Sequence, residues 1–235
     1  MNNENDFLYL RENLNAVRKR IRECALSCGR NENDIMLLVA AKYASCEEIE
    51  ALRREGVTEF GENRVNTFLE HYEGASHDGI NYHFIGSLQK NKVKYLCGKI
   101  SLLHSLDSLS LAAEIEKRYS AINSVLDCLV EINIASEESK GGIAPEELEG
   151  FLKDIAGLTH INVCGFMTMA PAGLDGDAYK AYFDEAVRIG KKAWKETLKK
   201  EGEPFFSMGM SGSLEAAICA QSSCVRIGYG IFGHK

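Results

Sequence analysis

Apolar and polar positions fall into repeating blocks along the chain. Leu8, Leu10, Leu14, Val17 and Ile21 recur at helical spacing between charged residues and predict an opening helix over 6–28. Short apolar runs then alternate with amphipathic stretches. The runs predict strands at 35–41, 57–60, 82–86, 101–105, 125–134, 161–167, 205–208 and 223–227. Helices are expected near 46–55, 62–73, 88–97, 108–121, 145–156, 176–200 and 212–220, with Gly56, Gly61, Gly86 and Gly98 at boundaries.

Strands separated by helices pair in parallel through crossovers. Eight such units point to an α/β fold, a single (β/α)8 TIM barrel with an extra N-terminal helix that fills the place of the missing last helix. An open doubly wound sheet is the alternative. No linker or solenoid repeat interrupts the order, so residues 1–235 are expected to form one domain. In the fifth strand, Leu126, Cys128, Val130, Ile132 and Ile134 share the face expected under the helices. Asp127, Leu129, Glu131 and Asn133 share the face expected inside the barrel. Those polar positions fit a site or equally a wet barrel mouth.

Composition narrows the functional classes. The 235 residues are 45% hydrophobic and 26% charged, with a net charge of -7. That charge argues against a broad nucleic-acid surface. The start "MNNENDFLYL" lacks a signal-peptide pattern, and no apolar run approaches the ~20 residues of a membrane span. A cytoplasmic protein without membrane or nucleic-acid partners is expected. Eight cysteines without a C-x-x-C pair are expected to be mostly buried, inert thiols. The histidines show no metal-ligand spacing, so no metal is expected. The basic run 191–200 is expected to be a solvated helix face anchored inward by Trp194.

A barrel keeps its chemistry at the C-terminal strand ends. Lys42 follows the apolar run Ile35–Ala41 there, "FGEN" follows the second strand, and "SMGMSGS" and "VRIGYGIFG" occupy the last two strand ends. Ser211 suits the N-cap of a following helix, and Gly228 and Gly230 let backbone approach closely. Together they suggest a phosphate cradle, though ordinary turn glycines and a cap give the same pattern. A lysine opposite a phosphate site suggests an aldehyde cofactor with a phosphate handle, which is pyridoxal 5'-phosphate. Such a lysine attacks as the neutral amine, a form that desolvation favours. Arg226, inside a short apolar strand, would then face the pyridine nitrogen and leave it unprotonated.

The motifs "LLVAAK", "EFGENRV", "YHFIGSLQKNKVKYL", "LLHSLDS", "VEINIASEESKGG", "CGFMTMAP", "FSMGMSGSLEAAI" and "VRIGYGIFG" run through nearly the whole chain. With them the sequence resembles the pyridoxal phosphate homeostasis protein family, whose fold is like the N-terminal barrel of alanine racemase. The resemblance implies that Lys42 carries the cofactor as an internal aldimine. It places Asn63 and His83 near the cofactor, Arg226 at the pyridine nitrogen, and Ser211, Gly228 and Tyr229 at the phosphate. It makes Lys140 a secondary exchange site. Tyr229 stands where members commonly carry threonine, so a backbone N–H contact to phosphate is expected there rather than a side-chain hydroxyl. Tyr82 and Ala41 replace a usual tryptophan and serine, which changes packing around the site.

Racemisation needs a base on each face of the substrate, and the lysine supplies one. In alanine racemases the other comes from a C-terminal β-domain with no counterpart in this sequence. The expected function is therefore vitamin B6 homeostasis: holding the cofactor and buffering or delivering it to apoenzymes, as a monomer and without robust catalysis. The alternative is a low-activity racemase or lyase that uses the same cofactor.

Overall fold

The computed structural model describes residues 7–75, 78–135 and 141–233. Its strands are β1 Met36–Ala40, β2 Glu59–Glu62, β3 Asn81–Phe84, β4 Leu102–Leu106, β5 Leu126–Glu131, β6 Ile161–Met167, β7 Phe205–Ser207 and β8 Cys224–Ile227. They pair in parallel, in chain order, and β8 closes on β1 to complete a barrel. The helices are α1 Leu8–Ser27, α2 Cys46–Arg54, α3 Val65–Gly74, α4 Val93–Leu96, α5 Leu109–Ala121, α6 Leu148–Ile155, α7 Gly176–Glu196, α8 Leu214–Cys219 and α9 Tyr229–Phe232. The order is that of a TIM barrel, and closure excludes the open-sheet alternative. Among the described residues no helix is long and apolar enough to cross a membrane.

α1 packs against α2, α8 and α9 and so occupies the gap anticipated for it. Leu10, Leu14, Val17 and Ile21 are buried there, while Leu8 is exposed and lies off the stripe. Four such side chains contribute roughly 6–12 kcal/mol of apolar burial before ordering entropy is counted. The last strand does have a helix after it, the single turn α9.

Three boundaries differ from the sequence reading. The second strand starts at Glu59 and runs on through Gly61 to Glu62, taking one residue from the expected helix, because Gly61 acts as barrel filling instead of a breaker. A Cβ at Gly61 would lie 3.0 Å from Leu38 and 3.1 Å from Ile85. The expected helix over 88–97 reduces to a tight turn at Lys90–Lys92 and α4. The fifth strand stops at Glu131, beyond which Ile132 bridges Ile143.

Parallel register defines the barrel interior. Leu38 pairs with Arg226, Gly61 with His83, His83 with Leu102, and Met167 with Ser207, so these side chains point inward together. Leu102, Leu129 and Met167 form a small apolar plug, with Cys164 and Phe205 against it. Leu129 and Glu131 are buried as expected for inward positions, whereas Asp127, at the strand's start, is exposed. The outward faces join the helices in one large core. Trp194 is buried in α7 and donates to the Glu201 carbonyl, as a helix-face anchor should.

The cysteines depart from the expectation of inert buried thiols. Cys28 and Cys219 are disulfide-bonded, and Cys46, Cys97 and Cys164 are only half-buried.

Candidate functional site

Lys42 leaves β1 into a turn whose backbone is fixed from several sides. The Ala41 N–H donates to the Gly61 carbonyl at 2.9 Å, and the Ala44 N–H to the Ala41 carbonyl at 2.8 Å. Ser45 then caps α2 in a reciprocal box: its hydroxyl accepts from the Glu48 N–H and its own N–H donates to the Glu48 carboxylate. The Lys42 side chain is exposed, with its ammonium 4.7 Å from the centre of the Tyr43 ring. The lysine that ends the apolar run is therefore not buried: β1 stops at Ala40, Ala41 stays buried, and Lys42 lies in the turn that follows.

A buried pair braces this turn from below. His71 on α3 lies 2.7 Å from Glu62 through Nδ1, and its Nε2 donates to the Ala44 carbonyl at 2.9 Å. Burial works against the charged imidazole, but the Glu62 carboxylate outweighs it and moves the His71 pKa up. Burial also raises the Glu62 carboxyl, so the two groups share a proton that neither gives up readily.

Asn63 follows β2 and rests directly on Gly86 at the end of β3. A Cβ at Gly86 would stand 2.2 Å from the Asn63 carbonyl oxygen, so only glycine permits this approach. The Asn63 Oδ1 atom is buried and has no hydrogen-bond partner among the described residues. An orphaned buried acceptor of this kind fits a ligand donor at the rim.

The loops after β7 and β8 meet as anticipated, but through a different contact. Ser211 is not a helix cap; its Oγ accepts from the Gly230 N–H at 3.1 Å across the two loops. Ser213 holds the N-cap position of α8, and its Oγ accepts from the Met210 N–H. Gly228 abuts β1, where an added Cβ would lie 3.0 Å from the Ala40 carbonyl. The cradle thus touches the strand that carries Lys42. Tyr229 is exposed at the start of α9.

Arg226 is buried inside the barrel. Its Nη1 donates to the Ser207 carbonyl and hydroxyl, each at 2.7 Å, and its Nη2 to the Thr168 carbonyl at 3.1 Å. Burial lowers its pKa from the usual arginine value. From Ser207 a hydrogen-bond chain continues through the barrel. Ser207 Oγ is 2.8 Å from His104 Nδ1, His104 Nε2 is 2.9 Å from His83 Nδ1, and His83 Nε2 is 2.8 Å from Glu59.

His104 stays neutral, because burial, then His83 and Arg226, drive its pKa well below the usual value. Burial opposes the charge on Glu59, but hydrogen bonds from His83, Asn81 and Thr58 outweigh it and lower that carboxyl. One proton order satisfies every member. Arg226 donates to Ser207, Ser207 to His104, His104 to His83, and His83 to the Glu59 carboxylate.

Two acids complete the surroundings. Burial, then Asp107, raises the Glu131 pKa to about 7, against the pull of Arg226. Burial likewise raises Asp107. Gly141 covers both, its added Cβ lying 3.4 Å from Asp107 and 3.8 Å from Glu131.

The fold therefore joins Ser211 to the Gly228–Gly230 loop, sets that loop against β1, and seats Asn63 on Gly86. His83 reaches Arg226 only through His104 and Ser207, with both ring nitrogens committed inside the barrel. Lys140 lies outside the described residues. Residue-by-residue reasoning missed Glu59, His104 and Asp107. His104 carries a readable signal, since it sits two positions after the inward Leu102 and so on the same face. Glu59 carries the same signal, two positions before the inward Gly61, whereas Asp107 carries none, because loop packing positions it.

Comparison with known proteins identifies the family and the fold. The family model described as "Alanine racemase, N-terminal domain" matches residues 12–235. A pyridoxal phosphate homeostasis protein of Aquifex aeolicus is 39% identical over 227 residues, covering 95% of this chain and 97% of that protein. The Escherichia coli K12 protein of the same name is 32% identical, with 95% of each chain covered. Among solved structures, an unknown protein from Bifidobacterium adolescentis superimposes with a TM-score of 0.87 at 28% identity, covering 96% of this chain and 95% of that one. PipY of Synechococcus elongatus PCC7942, solved with PLP bound, shares the fold with a TM-score of 0.80 at 23% identity, over 91% of this chain and 100% of its own. By its family match and these relatives, the chain belongs to the alanine racemase N-terminal-domain family and, within it, to the pyridoxal phosphate homeostasis proteins.

Proposed function

We propose that this chain binds pyridoxal 5'-phosphate on Lys42 as a Schiff base and serves vitamin B6 homeostasis by buffering the cofactor and delivering it to apoenzymes. The observation that carries this is the meeting, at one rim, of an exposed amine on a fixed turn with two linked glycine loops and a buried guanidinium. The residues present fit the cofactor. Asn63 offers an acceptor that still lacks a donor, and the Gly228 backbone leaves room that a side chain would fill. Ser211, Gly228 and Tyr229 would hold the phosphate, and Arg226 the pyridine nitrogen. When bound, the cofactor supplies an electrophilic aldehyde for the lysine amine.

The protein's own groups favour holding over turnover. A protonated arginine at the pyridine nitrogen leaves that nitrogen neutral and the ring a weak electron sink. The chain from Arg226 to Glu59 fixes the guanidinium in place, and His83 acts on the site through that chain. Exposure of Lys42 suits exchange with solvent and with recipient proteins. Lys140 is the proposed secondary exchange residue. The protein is proposed to work as a cytoplasmic monomer, residues 1–235 acting as one cofactor-binding domain.

Absorption spectra test the binding. The wild type should take up pyridoxal phosphate with a Schiff-base band, and borohydride should fix the label on Lys42. The same spectrum from Lys42→Ala would sink the assignment. Mixing loaded protein with an apoenzyme tests delivery: activation faster than dilution alone is expected. Rapid α-proton exchange of a single amino-acid enantiomer in heavy water would instead favour a racemase or lyase.

A further inference from the structure

We propose that Cys24, Cys28 and Cys219 form a thiol–disulfide exchange site that reversibly ties α1 to α8, with small-molecule thiols and disulfides as its redox partners. Cys24 and Cys28 are four residues apart at the end of α1, so they share a helix face. Cys219 is the last residue of α8. The three sulfurs lie within 4.8 Å of one another. Cys28 and Cys219 are bonded, and Cys24 Sγ lies 3.8 Å from Cys219 Sγ. A purely structural bridge needs two sulfurs. A third in contact with the shared one is what exchange requires.

The surroundings suit a reversible bond. Cys28 and Cys219 are half-buried at the edge of the seam, where a small thiol can reach, while Cys24 is buried. Burial, then Glu215, raises the Cys24 pKa, which leaves the resting bond with Cys28. The seam also holds without sulfur. Arg20 pairs with Glu215 at 2.8 Å, and Arg30 donates to the carbonyls of Ile218 and Ser222 at 2.8 Å each. Reduction therefore leaves α1 docked.

In reduction, an external thiolate attacks Cys28 Sγ, a mixed disulfide forms, and the electron pair of the broken bond goes to Cys219 Sγ. A second thiolate attacks the external sulfur, which releases the small-molecule disulfide and the Cys28 thiolate. Both thiolates take protons from the two thiols consumed. Oxidation by a small-molecule disulfide is the reverse. Internal exchange needs no oxidant: the Cys24 thiolate attacks Cys219, the Cys24–Cys219 bond replaces Cys28–Cys219, and Cys28 takes the proton that Cys24 lost.

The test equilibrates the full chain in reduced and oxidised glutathione at rising ratios, quenches by alkylation and maps the bonds by mass spectrometry. One transition to Cys28–Cys219 is expected in the wild type. Cys28→Ser should form Cys24–Cys219 instead, and Cys24→Ser should keep the Cys28–Cys219 bond. The proposal falls if the wild type stays fully alkylatable at every ratio, or if a folded Cys28→Ser carries only free thiols or glutathione adducts. It also falls if Cys24→Ser, which keeps both bonded sulfurs, loses the bond. Uptake of one zinc ion that shields all three thiols would replace it with a metal site.

Discussion

Lys42, in the turn after β1, and Arg226, on the neighbouring β8, belong to one barrel, yet their environments are opposite. Lys42 has a fixed backbone and an exposed side chain. Arg226 has a side chain fixed by three hydrogen bonds and sealed inside the barrel. On the proposed function, the contrast separates two tasks. A group that forms and releases a covalent bond needs access and a reproducible point of departure. A group that sets the polarity of a ring needs immobility, because any motion changes the field it supplies. Hydrogen bonds to backbone serve the first task, and a continuous side-chain chain serves the second.

The comparison can be broken from either side. Lys42→Ala should abolish the borohydride-fixable adduct completely. It should change folding stability by no more than about 0.5 kcal/mol, since an exposed side chain is removed. A large loss of stability in urea unfolding would contradict the exposed placement. Arg226→Leu should do the reverse. It removes the guanidinium donors from the Ser207 and Thr168 carbonyls, leaving the Ser207 carbonyl only the Thr168 N–H at 3.3 Å, and leaves Glu131 without its cation, and should cost roughly 3–5 kcal/mol.

Glu131 sharpens the picture through pH. Its carboxyl is raised to about 7 in the folded protein, by burial first. A raised carboxyl favours the folded state fully below its ordinary value and loses that benefit as pH rises through its folded value. At about 1.4 kcal/mol per pH unit, roughly 3 kcal/mol is lost between about pH 4.5 and 7. Glu131→Gln has no such loss, so its stability relative to wild type should rise across that window in urea midpoints.

The smallest effect concerns the brace beneath Lys42. His71→Phe removes the donor to Ala44 and strands Glu62, at roughly 1–3 kcal/mol. The His71 pKa is raised, so its contribution is present below the ordinary histidine value near 6.5 and fades as pH climbs through the folded value. The penalty should therefore be larger at pH 6 than at pH 9, and amide exchange should quicken in the turn around Lys42.

Much of this was legible in the chain because a barrel repeats one local rule. Each apolar run and each following amphipathic segment declares itself without reference to the others. Lys42, Asn63 and Arg226 stand out through their position at strand ends or inside apolar runs. The misreadings have equally particular causes. Gly61 looks like a breaker in a linear string, and only the proximity of Leu38 and Ile85 makes it a packing position. Ser211 looks like a cap because it precedes a helix, yet its partner Gly230 lies nineteen residues later. The Cys28–Cys219 bond spans 191 residues, beyond any local pattern.

The sequence by itself determined the order of strands and helices, the apolar stripe of α1 and the lysine at the end of the first strand. Those depend on side-chain periodicity over a few residues. Only the tertiary structure decided that Lys42 is exposed, that Arg226, Ser207, His104, His83 and Glu59 form one chain, and that three cysteines from two helices meet. Those contacts join residues far apart in sequence, and closure of the barrel sets their register.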